Sequence, residues 1–119
     1  MSFKQLIVYQ KAFDLAMEIF ENSKQFPKEE TYSLTDQIRR SSRSVCTSIA
    51  EGYRKRQYPK HFVSKVSDAD SENSETQVWL DFADSCGYLE QENRNELNSK
   101  ALEVGKLLNH MINHPEKYL

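Results

Sequence analysis

The side chains most able to do chemistry in this sequence are cations. Arg39, Arg40, Arg43, Arg54, Lys55, Arg56, Lys60 and Lys65 fall within residues 39 to 65, where Glu51 is the single acid. That segment carries +7, while the remaining residues hold eight Lys/Arg against seventeen Asp/Glu, or −9, within a chain whose formal charge is −2. Segregation of this kind makes a local field that attracts polyanions, whatever the overall balance. Arg39, Arg40, Arg43, Arg54, Lys55, Arg56 and Lys60 are therefore the candidate nucleic-acid contacts, gripping phosphates without reading bases. His61, directly after Lys60, suits a phosphate contact better than a general base, because no Ser or Cys nucleophile can be assigned around it. The same arginines could instead pair with Asp and Glu of neighbouring helices or subunits. The chain would then be a protein-interaction or scaffold bundle with a protein partner and no nucleic-acid role.

Other chemistry finds little support. His110 and His114 share a helix face at i,i+4, but two ligands do not hold a metal: structural zinc needs four and catalytic zinc about three. No HExxH pattern or nearby Cys completes a set. Cys46 and Cys86 lie forty residues apart with no CxxC, which points to reduced thiols, buried or half-buried, rather than a disulfide framework. There is no P-loop and no Rossmann glycine pattern. The expectation is a protein that is not an enzyme and uses no metal or cofactor.

The elements that must position these cations read as helices. A length of 119 residues suits one domain, 1–119, and 38% hydrophobic with 29% charged residues, three Gly and three Pro suit a helical bundle. No run of 18 apolar residues exists to span a membrane, and the N-terminal MSFKQLIVYQKAFDLAM lacks a signal-peptide pattern, so the expected location is the cytoplasm. The first helix is predicted over Leu6 to Phe26, on a stripe of Val8, Tyr9, Ala12, Phe13, Leu15, Ala16, Ile19 and Phe20, and is ended by Pro27. Residues 27–32 form a polar connector, and Ser33 is the expected N-cap of the second helix. That helix, Leu34 to Arg56, has a seam of Leu34, Ile38, Ser41, Ser42, Val45, Ile49, Gly52 and Tyr53. Its small residues allow close approach of a neighbour. Arg39, Arg43 and Arg54 line one flank, with Arg40 and Lys55 further round, as a basic ridge.

Pro59 opens a third helix, Lys60 to Ser85, with the heptad seam Phe62, Val66, Ala69, Asn73, Thr76, Leu80 and Ala83. Asn73 and Thr76 form a polar layer of the kind that fixes helix register. A second stripe, Val63, Ser67, Ser71, Ser74, Val78 and Phe82, lies on roughly the opposite side and is the expected contact between subunits of a homo-oligomer. Trp79 beside the first seam is an expected anchor, and Gly87 a left-handed stop after which Tyr88 and Leu89 fold back over the bundle end. The last helix, Gln91 to Asn113, carries Leu97, Ala101, Val104, Leu108 and Met111. Short connections between four helices predict an all-α, antiparallel up-down four-helix bundle.

The order of FKQLIVYQKAFDLA, FPKEETYSLTDQIRRSSRSVCTSIAEGYRKR, HF, SENSETQ and GYL resembles the small four-helix-bundle proteins encoded in intervening sequences of bacterial 23S ribosomal RNA genes. Gln37, Ile38, Arg39, Arg40, Ser44, Ile49, Ala50, Glu51 and Gly52 carry most of the resemblance, with Phe62, Ser71, Glu75, Gln77, Tyr88 and Leu89 downstream. It implies an up-down bundle and a homopentamer. That family is in turn similar to the accessory variability proteins of diversity-generating retroelements, basic pentamers that bind nucleic acid and a reverse transcriptase. Three departures stand out: Ser48 where many relatives have Asn, the polar VSKVSDADSEN after Phe62, and the acids Asp68, Asp70, Glu72 and Glu75.

Overall fold

The computed structural model describes residues 2 to 119. Ser2 starts a short 3-10 turn, Phe3–Gln5, through a capping box: its hydroxyl accepts from the Lys4 amide and its own amide donates to Gln5 Oε1. Helix α1 follows, Ile7–Ser23. It stops three residues short of the predicted end, where Ser23 Oγ and Asn22 Nδ2 donate to the carbonyls of Phe20 and Glu18. Such local bonds compete with the backbone ladder.

The polar connector is itself helical. Pro27 is extended, Lys28–Glu30 make a 3-10 turn, and Thr31–Thr35 make a π-helical turn that runs directly into α2, Asp36–Arg54. The expected Ser33 N-cap is thus overturned: Ser33 sits inside the π turn, and its hydroxyl donates to Glu30 Oε1 at 2.6 Å. Helix α2 also ends two residues early. Tyr58, placed before Pro59, is pushed to φ −119°, ψ 86°, so the chain must leave helical geometry ahead of it. Lys55 to Tyr58 make the turn.

Helix α3, Pro59–Ser85, begins on Pro59 and ends in a Schellman motif: Gly87 at φ 77° donates to Asp84 O, and Tyr88 donates to Ala83 O. Tyr88 then packs on Phe26 with ring centroids 5.6 Å apart and donates its hydroxyl to Glu30 Oε2, closing that end as expected. Helix α4, Gln91–Asn113, matches its predicted bounds and leads into a last 3-10 turn, Pro115–Lys117. No strand occurs among the described residues.

Each helix packs on its two neighbours in the cyclic order α1, α2, α3, α4. Cross-helix pairs fix the directions as antiparallel: Ser23 with Arg39, Ser41 with Thr76, Glu51 with Lys65, Asp84 with Arg94. The 44 Å long axis is set by α3. Its 27 residues extend about 40 Å.

The core follows the seams closely. All seven seam positions of α3, all five of α4 and all eight predicted for the second helix, Leu34 in the π turn and seven in α2, are buried. The buried stripe of α1 is narrower than predicted: Val8, Ala12, Leu15, Ala16 and Ile19 are buried, Tyr9 and Phe20 are half-buried, and Phe13 is 50% exposed. In the polar layer Thr76 Oγ1 meets Ser41 Oγ at 2.9 Å, while Asn73 Nδ2 donates to Ala101 O at 2.9 Å, tying α3 to both of its neighbours. Gly52 marks a close α2–α3 approach, since a Cβ there would lie 3.2 Å from Lys65 Cβ.

Candidate nucleic-acid interface

An antiparallel bundle places the α2–α3 turn at the same end as the N-terminal turn and the end of α4. Between Gly52 and Ser67 the chain has no acid. At the other end lie Asp81, Asp84, Glu90, Glu92 and Glu96 against Arg94 alone in that stretch. Part of the charge asymmetry of the sequence, that of Arg54 to Lys65, therefore becomes a polarity along the bundle axis, while Arg39, Arg40 and Arg43 lie toward the opposite end.

The cations divide into two groups. Arg39 and Arg43 lie over the Phe20 ring, 4.8 and 5.7 Å from its centroid, and Arg39 Nε donates to Ser23 Oγ at 2.8 Å. Arg40 faces the α3 acids: burial and the Glu75 carboxylate raise the Glu72 pKa, and the Arg40 charge opposes that rise. The second group, Arg54, Lys55, Arg56 and Lys60, stands at the turn, about 17 Å or more along α2 from Arg43. The expected basic ridge is thus two clusters, because no Lys or Arg lies between Arg43 and Arg54, and Lys55 and Arg56 fall beyond the end of α2.

Within the turn cluster Arg54, Lys55 and Lys60 are exposed, and none enters an ion pair among the described residues. Lys65, at the edge, is held by Glu51 and Asp68. Arg56 is preorganised: its guanidinium lies 3.7 Å from the Tyr53 ring centroid, and its Nε donates to the Tyr53 carbonyl at 3.0 Å. A recess of about 300 Å³ opens beside it, lined by Tyr53, Arg54, Arg56 and Gln57. Tyr58, 55% exposed, meets His61 edge-on at 5.8 Å on the other side of the turn.

The proposed subunit stripe faces solvent in the single chain at Ser67, Ser71, Ser74, Val78 and Phe82, while Val63 leans into the core. Trp79 is half-buried, stacks obliquely on Phe82 at 6.0 Å and donates to Glu75 Oε2. Sequence reasoning missed two apolar surfaces. Tyr32, 93% exposed, lines a groove of about 600 Å³ with Leu34, Trp79 and Phe82. On α1, Phe13 and Met17 join Tyr9, Arg43 and Thr47 around a second groove of about 290 Å³. The available signal was the α1 stripe itself, which is too wide for one seam.

The remaining polar groups are dispersed. His110 and His114 stack at 4.8 Å, with His110 Nδ1 2.6 Å from the Tyr118 hydroxyl and His114 facing Glu116. No three His, Cys, Asp or Glu among the described residues are grouped to hold a metal ion. Cys46 is buried, which pushes its thiol up to about 11, whereas Cys86 is exposed rather than half-buried, because the last core position of α3 is Ala83. Among the described residues no helix is long and apolar enough to cross a membrane.

Four antiparallel helices around one layered core, with a cationic turn at one end, define a small four-helix-bundle protein. The chain belongs to the 23S rRNA-intervening sequence protein family, whose pattern it matches over residues 4–110. It is similar in structure to a protein of unknown function from the S23 ribosomal protein family of Bacteroides thetaiotaomicron VPI-5482. The two share 28% identity at a TM-score of 0.82, over 90% of this chain and 96% of that one. No curated protein matches it.

Proposed function

We propose that the chain is a non-catalytic, homo-oligomeric bundle that associates with RNA in the cytoplasm through the cations of α2 and the α2–α3 turn. The observation that carries this reading is the gathering of Arg54, Lys55 and Lys60, exposed and in no ion pair among the described residues, on one turn that holds no acid. Lys65, Lys100 and Arg94, by contrast, sit beside carboxylates of the same chain. Arg39, Arg40 and Arg43 extend the field along α2 but are partly engaged by Phe20 and Glu72. Assembly, a pentamer by resemblance, would multiply a contact that is weak in one chain. The stripe of Ser67, Ser71, Ser74, Val78 and Phe82 is the surface on which subunits would meet.

The exposed Phe82, Val78 and Tyr32 favour the second reading, a scaffold that recruits a protein partner. Native mass analysis before and after nuclease treatment separates the two. RNA association is expected to give a complex heavier than a whole number of 13.9 kDa chains that loses the excess on ribonuclease treatment. A complex that nuclease leaves unchanged and that carries no nucleic-acid absorbance would favour the scaffold.

A further inference from the structure

We infer that the α2–α3 turn takes unpaired nucleic acid in preference to duplex, stacking a base on Tyr58 while Arg54, Lys55 and Lys60 hold the flanking phosphates. This deepens the RNA reading above and rests on it. Two observations carry it. The first is the division of the cations. A duplex presents phosphates in two long, rigid rows, and a row of arginines along one helix flank could follow them. The structure breaks that row: Arg39 and Arg43 lie on Phe20, and Arg54, Lys55 and Lys60, exposed and in no ion pair among the described residues, gather on one short turn that holds no acid. A compact cluster suits a strand that can bend around it.

The second is the aromatic surface set among those cations. Tyr58 is 55% exposed in a stretch where Arg54, Lys55, Gln57, Pro59, Lys60 and His61 are exposed as well. Its ring contact with His61 is edge-on, with an interplanar angle of 64°, an arrangement in which His61 covers at most one face of the tyrosine ring. The Arg56 guanidinium, held 3.7 Å from the Tyr53 ring centroid beside an open recess, presents a second planar group. Bases inside a duplex are stacked on one another and cannot use such surfaces, whereas splayed single-stranded bases can, with little regard to sequence.

The test is fluorescence anisotropy at matched low salt with a 12-nucleotide single-stranded RNA and the duplex of the same sequence. Wild type is expected to bind the single strand at least about fivefold more tightly. Tyr58→Leu, which keeps apolar bulk on an exposed site, is expected to weaken single-strand binding about tenfold and leave duplex binding unchanged. Tyr58→Trp should retain wild-type affinity, and melting curves check that both variants fold. Equal binding of strand and duplex, or an unaltered Tyr58→Leu, overturns the stacking inference and leaves polyanion binding intact. Binding of neither RNA by wild type overturns both.

Discussion

Replacing Gly52 by Val should loosen the junction that holds the basic turn. Gly52 is buried near the end of α2, where a Cβ would lie 3.2 Å from Lys65 Cβ and 3.6 Å from both Phe62 O and Val66 Cγ2. Carbon atoms pack best at about 3.5–4.0 Å, so even Ala is too close to Lys65 by a few tenths of an ångström. Lys65 Cβ is fixed to the α3 backbone and can yield only if the helices part. For Gly52→Ala, a gain of up to about 1 kcal/mol in helix propensity roughly offsets that strain. Val adds two methyl groups into the same gap and gives back part of the propensity gain. Overpacking typically costs about 1–3 kcal/mol, so a net loss of about 2 kcal/mol is expected. For a chain of this size that lowers the melting temperature by roughly 10 °C. Thermal unfolding followed by circular dichroism measures it. A Gly52→Val protein melting within about 2 °C of wild type would refute the close approach of α2 and α3.

Ile49, 1% exposed, lies one turn earlier on the same seam; Ile49→Asp strands a carboxylate without a partner and should cost about 4 kcal/mol or more, read by urea denaturation. Alkaline stability should report on Cys46. Burial raises its thiol from 9.0 to about 11, so below pH 9 folded and unfolded chains both keep the proton, and above it the unfolded chain loses it first. Stability present below pH 9 is therefore lost as pH rises through about 11, and Cys46→Ala should flatten that part of the profile. Size-exclusion chromatography with light scattering should give a mass well above 13.9 kDa for wild type. Ser71→Arg, on the exposed stripe, should lower it to that of one chain with helical content unchanged; a wild-type monomer at micromolar concentration would remove the oligomer proposal.

The heptad seams made the bundle readable, because buried positions on long regular helices repeat with the geometry of the helix. The bounds of α4 and the seam of α3 needed no tertiary information. What escaped lay where local bonds compete with that period. Ser33 reads as a cap, yet the chain enters α2 through a 3-10 and a π turn, and Ser33 serves Glu30 instead. Helix α1 ends early because Asn22 and Ser23 bond back to their own turn. The basic segment and its gap between Arg43 and Arg54 stand in the sequence, but the engagement of Arg39 and Arg43 does not, since that depends on Phe20 from another helix. Tyr58 drew no attention in the sequence, where a lone aromatic before Pro59 looks like a turn residue.

The central claim is that the cations of the α2–α3 turn grip phosphate, and the salt dependence of RNA binding tests it most directly. Phosphate contacts release counterions, so log affinity should fall linearly with log salt. Arg54→Ala, Lys55→Ala and Arg56→Ala together should weaken binding at low salt and flatten the slope by up to about one unit per lost contact, with the melting temperature little changed. An affinity and slope indistinguishable from wild type in this triple variant, or no binding by wild type at low salt, would contradict the account.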